Sequence, residues 1–127
     1  MSRWASSHKP MKRTNIFKNF NDLRVLVIGD VMIDRYLTGK VTRISPEAPV
    51  PIVNLLQTEN RLGGAANVAL NLKALGATPV LCSVIGKNEE ATNFLQLLAE
   101  NELTANGIFQ SAERQTTVKS RVIAGNQ

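Results

Sequence analysis

Cysteine and histidine are almost missing from this 127-residue sequence: each occurs once, as Cys82 and His8. A lone cysteine forms no internal disulfide, and the ligand spacings of a zinc site are absent. Its natural setting is a reducing cytoplasm. With its only histidine near the N-terminus, the sequence offers no plausible Ser-His-Asp set. No apolar run approaches the roughly 18 residues that suggest a membrane-spanning helix. Acidic residues are absent from positions 1–20, which carry Arg3, Lys9, Lys12, Arg13 and Lys18. The formal net charge of +5 therefore resides entirely in that stretch, because the remaining basic and acidic residues balance. With 43% hydrophobic and 20% charged residues, the composition is that of an ordinary globular domain, and the length suits one small domain.

Residues 1–22 read as a flexible basic leader and residues 23–127 as the folded part. The leader lacks the apolar core of a secretory signal peptide. A solvated extension, an organelle-type transit segment and a phosphate-seeking tail are the readings open to it. Nucleic-acid binding is not expected, and neither Trp4 nor His8 is given a role.

The folded part alternates strands and helices. Residues 23–28 form a short β-rich apolar run ended by Gly29-Asp30, expected as a strand buried on both faces. Tyr36–Val41 and Val50–Leu56 read as extended pieces, separated by Ser45-Pro46-Glu47-Ala48-Pro49, whose prolines favour a fixed turn. After Gly63-Gly64, the positions Ala65, Val68, Ala69, Leu72 and Leu75 predict one face of a helix, and Gly76 suits its left-handed cap. Pro79–Ile85 is a second buried strand. Asn88 followed by Glu89 and Glu90 opens a second helix, with Ala91, Phe94, Leu95 and Leu98 as its apolar face. Thr104–Phe109 and Thr116–Ala124 complete the strands, the last reading as one member of an unfinished strand pair. This order implies βαβ units and a mainly parallel sheet with right-handed crossovers.

Two places carry chemistry. Gly29-Asp30-Val31-Met32-Ile33-Asp34 follows the first strand, where open α/β sheets bind ligands. A carboxylate accepts several hydrogen bonds, which suits vicinal hydroxyls; the plainer reading is a turn-capping Asp30 and a surface Asp34. Gly63-Gly64-Ala65-Ala66-Asn67 offers close backbone approach at a helix start; the plainer reading is a tight turn with Asn67 bonded locally. Rossmann and Walker A loops are absent: no second glycine follows Gly29 at plus two, and Gly86-Lys87 is preceded by Leu81 and followed by Asn88 where such a loop needs glycine and Ser or Thr.

Residues 63–86, with Gly63, Gly64, Ala65, Asn67, Ala69, Gly76 and Gly86 in register, resemble the first signature of the ribokinase-type (PfkB) carbohydrate kinases. VLVIGDVMIDRY (25–36), RISPEAPVPIV (43–53) and RQTTVKSRVIAGNQ (114–127) resemble the heptose-7-phosphate kinase branch of that family. The resemblance implies a ribokinase-like α/β fold, here with an incomplete parallel sheet flanked by helices, and a small β lid formed near 36–56 and 116–124. It implies that Asp34 hydrogen-bonds sugar hydroxyls and that Gly63, Gly64 and Asn67 line the same pocket. Arg43, Lys119 and Arg121 are candidates to hold a substrate phosphate, cations being good partners for its oxygens; solvated strand charges are the alternative.

The reaction implied is transfer of the ATP γ-phosphate to the anomeric hydroxyl of D-glycero-D-manno-heptose 7-phosphate, in lipopolysaccharide precursor synthesis, with a homodimer formed through the lid. A complete kinase of this type is about twice this length or more. Its Gly-Ala-Gly-Asp motif, which carries the catalytic base and anion hole, does not occur here. The base is expected beyond residue 127, with ATP and Mg²⁺ serving the intact enzyme, neither held by this segment alone. No kinase activity is expected of this polypeptide by itself. The alternative is a non-catalytic remnant acting at most as a sugar-binding or lid-mediated interaction module.

Overall fold

The computed structural model describes residues 13–125; Trp4 and His8 lie outside them. Arg13–Asn19 form a short helix, α1, and Phe20–Asp22 a 3-10 turn, so the second half of the expected leader has regular structure. Phe17 and Phe20 meet edge to face at 5.7 Å. The first twelve residues of the expected leader lie outside the described ones, and Asn21, near its end, rests against Gly76 at the end of a later helix.

Eight further elements complete the fold, six strands in two sheets and two helices, with β5 a short strand at one edge. The strands are β1 (Arg24–Ile28), β2 (Val31–Ile44), β3 (Pro51–Gly64), β4 (Thr78–Ile85), β5 (Ile108–Gln110) and β6 (Val118–Ala124); the helices are α2 (Ala65–Ala74) and α3 (Glu89–Glu100). β1, β4 and β5 form a parallel sheet in the order β1-β4-β5. β3, β2 and β6 form the second, with β2 antiparallel to β3 and parallel to β6. This second sheet is the expected lid. Its hairpin closes through the proline turn, where Ser45 N–H donates to the Val50 carbonyl at 2.8 Å.

One core fills the space between these layers. Ile33 and Leu62 of the lid, Leu81 and Ile85 of β4, Ala66 and Ala69 of α2, and Ala91, Phe94 and Leu98 of α3 are buried together. Alanines at the α2 contact allow its backbone close to the sheet, and Ala65 sits 3.1 Å from where a Cβ on Gly29 would be. The α2 face is rotated from the expected one: Ala66 and Ala69 are buried, while Val68 and Leu75 are exposed. β1 also differs from expectation. Its burial alternates, and Leu26 and Ile28 lie on an open outer face with Phe109, because both long helices use the inner one. The third expected strand is shorter, since Thr104–Gly107 is spent on a turn in which the Asn106 N–H donates to Thr104 Oγ1.

Capping residues tie the helices to the sheets. Asn88 Oδ1 accepts from the Ala91 N–H at 3.2 Å, as its position in the sequence implied. The same oxygen accepts from the hydroxyl of buried Thr116, whose Oγ1 in turn accepts from the Gly86 N–H. Arg35 of β2 reaches across to Glu90 of α3 with both carboxylate oxygens within 2.9 Å. Hydrogen bonds from Asn93 and Arg35 hold the Glu90 carboxyl below the usual carboxylate range. A lowered folded-state value stabilises the fold above the unfolded one and loses that contribution as pH falls through the folded value. Glu90→Gln should therefore cost about 1–2 kcal/mol in urea unfolding at pH 7. The difference from wild type should shrink once pH drops below about 4; a gap unchanged at acid pH would contradict the ion pair's role.

Candidate functional site

Strand register builds the site. In β2, Asp34 stands opposite Arg61 of β3 and Lys119 of β6; Met32 stands opposite Gly63, and Tyr36 opposite Glu59 and Arg121. Alternation along the strands puts Ile33, Arg35 and Leu62 on the core side. Met32, Asp34, Tyr36, Arg61, Gly63, Lys119 and Arg121 share the other face.

On that face a carboxylate sits among cations without being satisfied by them. Lys119 Nζ and Arg121 Nη2 each lie 3.8 Å from Asp34 Oδ1, too far for a hydrogen bond. Oδ1 itself is buried and has no hydrogen-bond partner among the described residues. A buried acceptor in this state costs free energy until a donor reaches it, and a ligand hydroxyl is such a donor.

Glycine makes the space. A Cβ at Gly63 would lie 2.7 Å from Asp34 Oδ2 and 2.9 Å from Met32 Cγ. Gly64 has φ +61°, and its Cβ would strike the Asp30 carbonyl oxygen. That carbonyl accepts from the Ala65 N–H at 2.9 Å, so β3 passes into α2 with no loop and the helix start is fastened to the turn after β1. Asp30 thus acts here through its main chain, and its side chain is exposed. Asn67 lies in the first turn of α2 and is exposed.

The structure brings together Asp34, Gly63, Lys119 and Arg121, with Gly64 adjoining them. Arg43 is not with them: it pairs with Ile52 near the far end of the hairpin, about 30 Å along β2 from Asp34 at the usual rise per residue. Two members of the polar face, Tyr36 and Arg61, were missed by the sequence reading. Arg121 Nη1 donates to the Tyr36 hydroxyl at 2.6 Å, and the guanidinium carbons of Arg61 and Arg121 lie 4.8 and 5.2 Å from the Tyr36 ring centroid. Counting by two from Asp34 and Gly63 would have found both. Glu59 receives two hydrogen bonds from Arg61, and these hold its carboxyl below the usual range.

A second hollow, about 300 Å³, opens at the carboxyl ends of β1 and β4, between Ile28, Asp30, Cys82, Phe109 and Arg114. None of the candidate sugar-site residues lines it. No group of three or more His, Cys, Asp or Glu that could hold a metal ion occurs among the described residues. No described helix is long and apolar enough to cross a membrane.

The two glycines should respond differently to alanine. At Gly63 the Asp34 carboxylate can turn aside, so Gly63→Ala should keep the fold at a cost of about 1–2 kcal/mol. At Gly64 the obstacle is backbone and φ is positive, so Gly64→Ala should cost more, about 2–4 kcal/mol. Urea unfolding of both variants checks this; equal midpoints would contradict the backbone argument.

Known proteins supply the family. The model of the pfkB family carbohydrate kinases matches residues 22–127. The bifunctional protein HldE of Citrifermentans bemidjiense is 45% identical over 113 residues, covering 89% of this chain and 23% of that protein. The chain thus spans about a quarter of the length of the curated relatives it matches. Among solved structures, fructokinase from Halothermothrix orenii superposes with TM-score 0.56 at 28% identity, over 79% of this chain and 34% of that one. A fructokinase from Xylella fastidiosa solved with bound ATP gives TM-score 0.55 at 20% identity, over 76% of this chain and 26% of that one. Together with the lid and the di-glycine entry into α2, the match over residues 22–127 shows that the chain belongs to the pfkB family of carbohydrate kinases.

Proposed function

We propose that residues 23–127 form the sugar-holding part of an ATP-dependent kinase that phosphorylates D-glycero-D-manno-heptose 7-phosphate at its anomeric hydroxyl. The observation that carries this reading is the buried, unpartnered Asp34 Oδ1 beside Gly63 and between two cations. In it, Asp34 accepts hydrogen bonds from sugar hydroxyls. Gly63 and Gly64 give the ring room to approach the main chain, and Asn67 supplies a donor and an acceptor at the helix start. Lys119 and Arg121 hold the phosphate already on the substrate. Arg43, remote along β2, has no part in holding it within one chain.

ATP would supply the transferred phosphoryl group and Mg²⁺ would offset its charge when bound. The residues described here act on the acceptor: they bind it, orient it and keep its hydroxyls engaged. The same reading has the kinase work in the cytoplasm as a homodimer paired through the lid. Exposed Ile44, Val50, Leu55 and Leu56 near the hairpin tip give that pairing an apolar surface to bury.

The test is a titration of the 127-residue chain with D-glycero-D-manno-heptose 7-phosphate, followed by NMR. Wild type should bind. Asp34→Asn should weaken binding by roughly 10- to 100-fold and leave the melting temperature within a few degrees. Undiminished affinity in the variant would overturn the assignment of Asp34.

A further inference from the structure

Tyr36 is the only tyrosine in the chain, and it stands on the central strand of the lid, two residues from Asp34 on the same face. Arginines reach its ring from both neighbouring strands, Arg61 from β3 and Arg121 from β6. Arg121 also donates Nη1–H to the Tyr36 hydroxyl at 2.6 Å. A long side chain on an exposed strand ordinarily samples many rotamers and loses their entropy when it binds. Here the phenol fixes the Arg121 guanidinium in advance, by stacking and by one hydrogen bond.

The neighbouring charges favour an anion. Glu59 is committed to Arg61 through two hydrogen bonds. Lys119 and Arg121 outnumber Asp34, and neither spends an N–H on it at 3.8 Å. Their remaining donors face the same side as the unpartnered Asp34 oxygen. A ligand carrying both a hydroxyl and a phosphate monoester would meet an acceptor and fixed cations side by side.

We propose that Tyr36 is a positioning residue: it holds Arg121 in place, with Arg61 packed against the same ring, so that this face forms a phosphate-monoester subsite next to Asp34. The inference rests on the sugar-site reading above and adds to it a specificity device, selection of a phosphorylated over an unphosphorylated sugar.

The experiment compares two probes on the full chain by NMR titration, D-glycero-D-manno-heptose 7-phosphate and the same heptose without phosphate. The readout is the ratio of their dissociation constants. Tyr36→Phe keeps the ring and removes the hydroxyl; it should lower the preference for the phosphorylated sugar by roughly ten-fold and leave affinity for the free heptose within about two-fold. In an Arg121→Gln background the same change should add almost nothing, because there is no guanidinium left to position. An unchanged preference in Tyr36→Phe, or a full additional loss in the Arg121→Gln background, would overturn the proposal. Equal affinity of wild type for both probes would remove the phosphate subsite and leave the sugar site standing. Binding of neither probe would remove the sugar-site reading and this inference with it. Should Tyr36→Phe fail to fold, Arg121→Gln alone decides: a retained preference for the phosphorylated sugar overturns the subsite.

Discussion

The Asp34 carboxylate can lie against β3 only because position 63 has no side chain. A single methyl there would stand 2.7 Å from one carboxylate oxygen, and the carboxylate would have to swing away. That contact depends on the antiparallel register of β2 and β3, which sets Met32 opposite Gly63 and Asp34 opposite Arg61. A slip of one residue would turn Asp34 into the core and bring Ile33 out. Ile33 and Leu62, both buried on the far face, oppose such a slip. The core therefore fixes the site from behind, and the hydrophobic burial that stabilises the fold also selects which polar side chains face outward.

A second constraint acts where β3 becomes α2. Gly64, in the left-handed region, turns the chain without a loop, and the Asp30 carbonyl fastens the first helical N–H. Two ends are thus joined: the turn after β1 and the start of α2. The site lies between this junction and β6, so its three contributing strands are held by the core, by a backbone bond and by the lid register. Its cations come from β6, a parallel neighbour of β2 more than eighty residues later in sequence, which is why chain proximity alone says little about them.

Much of this was legible beforehand. β1, β4 and α3 carry dense apolar patterns or a capping signal, and Asn88 caps α3 as its sequence position suggests. The di-glycine and Asp34 stood out through chemistry and family resemblance, and the structure does bring Gly63 to Asp34. The full lengths of β2 and β3 were hidden. Residues 57–61, Gln-Thr-Glu-Asn-Arg, show no apolar alternation, because their outward side faces polar partners and Asn60, on the inward side, bonds Arg35. The α2 face was misjudged because alanines at 66 and 69 pack closer than the larger Val68 and Leu75. The first helix was concealed by basic composition, which describes charge and not backbone order. Counting in twos from Asp34 and Gly63 puts Tyr36 and Arg61 on the polar face, but the stacking of one on the other across two strands has no linear signature, and register alone places it.

The central claim is that an acceptor oxygen is held ready and unsatisfied beside a glycine. A crystal structure of the chain with D-glycero-D-manno-heptose 7-phosphate bound examines it most directly. The account predicts a sugar hydroxyl within hydrogen-bonding distance of Asp34 Oδ1, the ring over Gly63, and the phosphate on the side of Lys119 and Arg121. A sugar bound elsewhere, or an Asp34 carboxylate closed onto Lys119 with no hydroxyl upon it, would contradict the account.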